Sequence, residues 1–154
     1  LKLEKFNSTS MDKNLDEFGK FIITNMRDKQ IDNVNGLLKG KWRAKNVKNL
    51  QKQLSKFNRD EKKVISDLVE DILNSTMHDL LFAIQESNDL DTGLKVMMND
   101  KNVAELSDGL QGEICGDEGW IRRFSSYQTV NEDNAESKPK GFMNKLFGKK
   151  LNGS

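Results

Sequence analysis

Apolar residues recur every three or four positions through the first part of the chain, which is the spacing of an amphipathic helix. Asn14 and Glu17 form the pattern of an N-terminal capping box and predict the start of the first helix. The apolar positions near this box are Leu15, Phe18, Phe21, Ile22 and Met26. The same spacing continues to Leu38, and Gly36 and Gly40 predict that the helix ends near there.

A second helix is predicted before Asn58, with one apolar face and one basic face. The apolar face contains Val47, Leu50, Leu54 and Phe57. The basic face contains Lys45, Lys48, Lys52 and Lys56. We therefore expect the apolar residues to pack in a core and the lysines to lie on a separate side of the helix.

A long third helix is predicted to begin at a second capping box, which Asn58 and Glu61 form, and to continue without a helix breaker. Its apolar positions are Val64, Ile65, Leu68, Val69, Ile72, Leu73, Met77, Leu80, Leu81 and Ile84. This apolar content predicts that the third helix is the central element of the fold.

The period of the pattern changes after Asn88 and Asp89. Two short apolar runs, Leu94 to Met98 and Val103 to Leu106, flank Asn99 to Asn102, whose residue types suit a turn. A β-hairpin is therefore predicted here. The fold class is mainly α (α+β), a helical bundle with a small β-hairpin and a C-terminal amphipathic tail.

The chain is predicted to contain one folded domain between two extensions. Residues 1–11 form an N-terminal extension, and residues 12–128 form the helical domain with the hairpin and a glycine-rich segment. Residues 129–140 are polar, include the single proline, Pro139, and are predicted to be a linker. Residues 141–154 form a basic amphipathic tail.

Composition limits the class of protein. Charged residues make up 32% of the chain and hydrophobic residues 35%, which is typical of a helix-rich globular protein with a modest core. Cys115 is the only cysteine, so an intramolecular disulfide is excluded. No apolar run approaches the roughly 20 residues needed to cross a bilayer, and the first residues lack the apolar stretch of a signal peptide. We therefore expect a cytoplasmic protein.

The formal net charge of +1 conceals two oppositely charged halves. Residues 38–63 contain ten lysines and arginines against two acids, a local charge of +8. Residues 66–118 contain thirteen acids against two lysines, a local charge of −11. The two halves are expected to attract each other, or to attract different partners.

Residues 106–127 form a glycine-rich segment with four glycines in eleven positions, Gly109, Gly112, Gly116 and Gly119. Its acidic character argues against a phosphate-binding loop, and its acids do not have the spacing of a calcium loop. The acidic neighbours of Cys115 oppose thiolate formation, so a buried or incidental thiol is favoured over a nucleophile. No cofactor, metal site or catalytic residue is predicted.

Two functions remain open for the end of this segment. Trp120, Arg122, Arg123 and Tyr127 are residue types that are enriched at interface hot spots, and they are predicted to bind a protein partner. The alternative is structural. A short helix between Gly119 and Tyr127 would then turn Trp120 and Phe124 inward, and these rings would close the end of the helical core. A helix capped by Ser107 is predicted just before it.

The sequence AELSDGLQGEICGDEGWIRRFSSY, residues 104–127, resembles the C-terminal signature of small bacterial proteins of unknown function. In that family a helical portion precedes the patterns S-D-G-L-x-G-E and G-W-I-x-R-F-S. The resemblance implies a bacterial or phage-like cytoplasmic protein, and it implies no activity and no catalytic residue.

An enzyme is a second hypothesis. It would use an acidic cleft that brings Asp108, Glu113 and Asp117 together with His78, the only histidine.

A lysine-driven nucleic-acid binder is a third hypothesis. The residues that would contact phosphates and stack on a base are Lys41, Trp42, Arg43, Lys45, Lys48, Lys52 and Lys56. The acidic second half would repel a polyanion, which argues against this hypothesis.

The C-terminal segment Lys138–Leu151 contains five lysines and no acid. Its apolar residues recur at helical spacing and are Phe142, Met143, Leu146, Phe147 and Leu151. Phe142, Leu146 and Phe147 are predicted to bind a protein partner in a groove. The open alternatives are weak attachment to an anionic membrane surface and folding back on the acidic helices of the same chain.

Overall fold

The structure is a computed structural model that describes residues 12–127. It is mainly α-helical with one small antiparallel β-hairpin, which confirms the predicted fold class. Within these residues no helix combines the length and the apolar character that a membrane crossing requires. The predictions for the extension 1–11, the linker 129–140 and the tail 141–154 lie outside the described residues.

The first helical region is continuous from Lys13 to Leu38 and consists of three parts. Helix α1 spans Lys13–Ile22, a π-helical segment spans Ile23–Asp28, and helix α2 spans Lys29–Leu38. Asp12 is the N-cap, because its carboxylate accepts a hydrogen bond from the backbone N–H of Asn14. The predicted cap at Asn14 is therefore wrong by two positions, because Asp12, an equally favoured capping residue, precedes it.

The π-helical segment turns a charged pair inward. Buried positions repeat at a spacing of five, with Ile22 followed by Arg27 and Ile23 followed by Asp28. That spacing matches the i→i+5 repeat of a π-helix. On the exposed side, the Thr24 hydroxyl and the Asn25 amide donate to the Lys20 and Phe21 carbonyls at 2.8 and 2.9 Å. These bonds satisfy carbonyls where the helical ladder changes its period.

The second predicted helix is α3, Lys45–Leu54, and it contributes no fully buried residue. Val47 and Leu54 are half-buried, whereas Leu50 and Phe57 are exposed. The prediction that this apolar face packs in the core is therefore wrong for Leu50 and Phe57. The helix packs on α2 at the margin of the fold, where one side has little to cover it.

The third predicted helix is α4, Arg59–Asp89, and its capping box is confirmed. The Asn58 side chain accepts from the Glu61 backbone N–H at 2.9 Å, and the Glu61 carboxylate accepts from the Asn58 N–H at 2.8 Å. Only part of its apolar sequence enters the core. Met77, Leu81 and Ile84 are buried, while several other apolar positions of the helix are exposed.

The hairpin is confirmed, with shorter strands than predicted. Strand β1 is Met97–Met98, strand β2 is Lys101–Asn102, and Met98 pairs with Lys101 in antiparallel register. Asn99 and Asp100 both have positive φ, 48° and 64°, as a two-residue hairpin turn requires. The predicted second strand over Val103–Leu106 is wrong, because the chain forms a 3₁₀ turn at Val103–Glu105.

The core lies where α1 and α4 meet the chain that follows the hairpin. A second 3₁₀ helix, Leu110–Ile114, packs on α4, and a short helix α5, Trp120–Phe124, packs on α1. Trp120 meets Phe18 edge to face, with ring centroids 5.9 Å apart and an interplanar angle of 84°. The buried core residues are Leu15, Phe18, Ile22, Ile23, Met77, Leu81, Ile84, Val103, Ala104, Leu110, Ile114 and Trp120.

Gly19 allows the close approach of α1 to Trp120, because a Cβ at this position would overlap the indole ring. We predict that Gly19→Ala lowers the free energy of unfolding by about 1–3 kcal/mol, since the buried ring cannot move aside. Gly112→Ala is the control, because no atom lies near the Cβ position there. Urea denaturation measures both variants. A Gly19→Ala protein as stable as the control would contradict this packing.

Candidate functional site

The glycine-rich segment follows the hairpin and the 3₁₀ turn at Val103–Glu105 as a compact series of short turns. Ser107 accepts a hydrogen bond from the Gly109 N–H at 3.1 Å and donates to Glu113 at 2.7 Å. The helix predicted after Ser107 is the 3₁₀ helix Leu110–Ile114. A Cβ at Gly119 would overlap the Cys115 backbone, so this glycine permits a close chain reversal. Cys115 itself is exposed, so of the two favoured alternatives, a buried or an incidental thiol, the buried one is wrong.

Trp120 is fully buried in the core, and its surface is not available to a partner. Its indole Nε1 donates to no group among residues 12–127, so its role there is packing. The structural alternative predicted from the sequence therefore describes Trp120, and we remove this residue from the candidate interface. Phe124 is half-buried against the same core.

The two arginines of α5 make ion pairs within the domain. Arg123 forms a bidentate pair with Asp16 of α1, with N–O distances of 2.8 and 2.5 Å. The hydrogen bond to Asp16 raises the pKa of Arg123 above its ordinary value. The Arg123 guanidinium also lies 4.6 Å from the centroid of the Phe124 ring. Arg122 is exposed and pairs with Asp117.

A guanidinium with no solvent exposure lies between the first helical region, α4 and the end of the glycine-rich segment. Arg27 donates from Nε to Asn74 Oδ1 at 2.8 Å and from Nη2 to Glu70 Oε2 at 3.3 Å. Its Nη1 donates to Ser125 Oγ at 2.8 Å and to the Tyr127 carbonyl at 3.1 Å. The side chain is 0% exposed. Arg27 therefore connects three parts of the fold.

Asp28, the ion-pair partner of Arg27, also binds the last described residues. It accepts from the Ser125 hydroxyl at 2.6 Å and from the Ser126 backbone N–H at 2.7 Å. The Tyr127 N–H donates to Ser125 Oγ at 2.9 Å, and the Tyr127 hydroxyl donates to Asp32. We call residues 125–127 the C-terminal latch. Tyr127, predicted to bind a partner, is half-buried in this latch.

His78, Glu113 and Asp117 of the enzyme hypothesis each bond to a different partner. His78 is exposed on α4 and contacts Asp79, with 3.4 Å between Nδ1 and Oδ1. Glu113 is bonded to Ser107, and Asp117 is paired with Arg122. Within residues 12–127 no hydrogen bond or ion pair joins His78 to the predicted acids. No three His, Cys, Asp or Glu side chains of these residues gather as a metal site.

An exposed apolar stripe follows one side of α4. It consists of Val64, Leu68 and Ile72, which are spaced by four and lie one above the other on the helix. Their exposed fractions are 65%, 56% and 55%. Asp67 and Asp71 are exposed along one edge of the stripe. These residues are among the apolar positions that predicted a central helix, but they lie outside the core, because α2 packs on another side of α4.

A basic cleft separates α3 from the beginning of α4. Its volume is about 580 Å³, and Lys39, Arg59 and Lys62 line it together with Gln51. Gln51 accepts from the Trp42 N–H at 2.9 Å and donates to the Trp42 carbonyl at 2.7 Å, which holds the turn before α3. The lysines of α3 are exposed, as predicted.

The Arg27 cluster is the feature that sequence analysis missed. The adjacent charges of Arg27 and Asp28 interrupt the apolar spacing between Met26 and Ile31. That interruption was the available signal, because a charged pair on the buried side of a helix requires partners.

Comparison of the chain with protein-family models, with curated proteins and with solved structures gave no match. The resemblance of residues 104–127 to small bacterial proteins therefore stays a hypothesis.

The hydrogen bond to Asp32 raises the pKa of Tyr127 above 10.0. Tyr127 is the only tyrosine, so tyrosinate absorbance titrates this residue alone. We predict a midpoint above pH 10.0 that falls in Asp32→Asn and is unchanged in Asp79→Asn. Because the folded pKa exceeds the unfolded pKa, the stability from this bond is full below the unfolded value and is lost as pH rises through the folded value. A midpoint insensitive to Asp32→Asn would contradict the contact.

Proposed function

We propose that this chain is a noncatalytic protein-interaction module that binds a lysine-rich amphipathic helix of a protein partner on the apolar stripe of α4. The observation that carries the proposal is a row of three exposed apolar side chains bordered by carboxylates. Such a row is the counterpart of the apolar face of an amphipathic helix, which contacts its groove through residues at spacings of three and four.

Burial of the stripe supplies the apolar part of the binding energy. Complete burial of an exposed valine, leucine or isoleucine side chain contributes about 1.5–3 kcal/mol. The three side chains are more than half exposed, so most of that contribution is still available to a partner. Val64 and Ile72 are about 12 Å apart along the helix axis, which corresponds to two turns of a docked helix.

Carboxylates around the stripe select the charge of the partner. Asp71 borders the stripe, as does Asp67, which pairs with Lys63 of the same helix at 2.8 Å. Asp79 is exposed beyond one end of the stripe, and Glu61 of the capping box is exposed beyond the other. Complementary charges accelerate encounter and penalise partners of the same sign. An apolar helix edged with lysines therefore fits this surface, whereas an acidic amphipathic helix is repelled.

The neighbours of the predicted catalytic groups support a noncatalytic function. Glu113 and Asp117 each bond to a side chain of the fold. An acid–base pair needs its two groups within hydrogen-bond reach of one substrate, and the described contacts of His78 extend only to Asp79.

A lysine-driven contact with an anionic surface is a second candidate, favoured by the exposed lysines of α3 beside the basic cleft. The double substitution Lys48→Glu with Lys52→Glu should then abolish binding to anionic vesicles at low salt. Vesicle binding that persists in this variant would contradict the second candidate.

Leu68→Asp is the substitution that tests the proposed function. We predict that it reduces the captured partner at least about tenfold, because a carboxylate replaces the central apolar contact and would lose its water beneath the docked helix. Affinity capture from the native extract measures the loss. A supporting result also requires that the captured protein binds through a lysine-rich amphipathic helix.

Leu80→Asp is the matched control. It makes the same chemical change at another exposed leucine of α4, on a different side of the helix. Circular dichroism should show equal helix content in both variants. Equal capture by Leu68→Asp, Leu80→Asp and the unsubstituted chain would contradict the proposal.

A further inference from the structure

We propose that the segment Lys138–Leu151 of this chain docks on its own apolar stripe and competes there with the protein partner. The inference rests on the proposed function, since it assigns a second occupant to the same surface. Its basis is the exit point of the chain, the length of the intervening segment, and the match of charge and apolar residues.

The C-terminal latch fixes where the remaining chain begins. The Tyr127 carbonyl accepts from Arg27, whose Nη2 in turn donates to Glu70 of α4. Asn74, one helical turn further, accepts from the same guanidinium. The chain therefore leaves the described domain beside the middle of α4, level with the stripe on another side of that helix.

The length of the intervening chain suffices for this path. Fourteen residues separate Tyr127 from Phe142. A chain of this length spans at most about 50 Å, and about 20 Å on average if it behaves as a random coil. The diameter of a helix with side chains is about 10–12 Å. The segment from Phe142 onward can therefore pass around α4 to the stripe.

The segment has the chemistry that the stripe selects. It contains five lysines and no acid, so it complements the carboxylates that border the stripe. In a helical conformation its apolar residues from Phe142 to Leu151 would extend over about 14 Å, close to the about 12 Å length of the stripe. Lysines at both ends of the segment would lie near the acids beyond the ends of the stripe.

Covalent attachment favours this occupant over a second copy of the chain. A short linker gives the attached segment an effective concentration in the millimolar range. A second copy at micromolar concentration competes at a disadvantage of about a thousandfold. A partner must displace the segment, so its apparent affinity is lowered by the fraction of chains in which the stripe is already occupied.

Hydrogen exchange of the segment in the full chain is the experiment. Mass spectrometry should show that the amides of residues 142–151 exchange at least about fivefold more slowly than those of the same sequence as a free peptide. Leu68→Asp should abolish this protection, and Leu80→Asp should retain it. Equal exchange in the three full chains would overturn the inference.

Two further outcomes would also overturn it. Protection that increases with protein concentration would mean that the segment docks on a second copy. Protection that occurs only with vesicles of anionic lipid would mean that it binds a membrane surface.

A separate probe distinguishes failure of this inference from failure of the proposed function. The probe is a synthetic helical peptide of leucines and lysines, added to the full chain and to Leu68→Asp. If the segment is unprotected and the peptide binds only the unsubstituted stripe, the inference fails and the proposed function stands. If neither the segment nor the peptide binds the stripe, both fail.

Discussion

The burial of one guanidinium constrains the whole arrangement. Arg27 has no solvent exposure, and a buried charge is stable only where hydrogen bonds and opposite charges replace its water. The π-helical segment turns Arg27 and Asp28 inward together, α4 contributes Asn74 and Glu70, and the C-terminal latch contributes the remaining acceptors. Leaving such a group without one of its partners costs about 3–5 kcal/mol. The first helical region, α4 and the end of the glycine-rich segment therefore hold together as one unit.

This unit determines what remains available for binding. The core uses Met77, Leu81 and Ile84 of α4, and α2 packs on a further side of the same helix. The apolar stripe faces away from both contacts, so no described element covers it. The glycine-rich segment contacts α1 through its tryptophan and Arg123. These two side chains therefore hold the segment to the domain. The latch holds Tyr127 on Arg27, whose guanidinium also contacts Glu70 and Asn74 of α4.

Local sequence patterns predicted the helices well, because capping and spacing are local properties. The box at Asn58 and Glu61 begins α4 as predicted, and the hairpin forms at Asn99 and Asp100. The pattern could not assign the two apolar sides of α4, since spacing alone does not tell which side finds a neighbour. The partners of Arg27 in the latch lie about a hundred residues away in the chain, so only the fold brings them together. The packing of Trp120 against Gly19 could not be predicted for the same reason, because it joins two segments that are distant in the chain.

Amide hydrogen exchange at the latch, measured by NMR on the full chain, tests most directly whether Arg27 fixes the end of the domain. The Ser126 and Tyr127 N–H groups donate to Asp28 and Ser125 in the closed latch. The account predicts that both amides exchange at most about tenfold faster than the Leu81 amide in the core. Their hydrogen bonds break only when the whole unit unfolds. Exchange of both amides at the rate of an unstructured peptide, with Leu81 still protected, would contradict it.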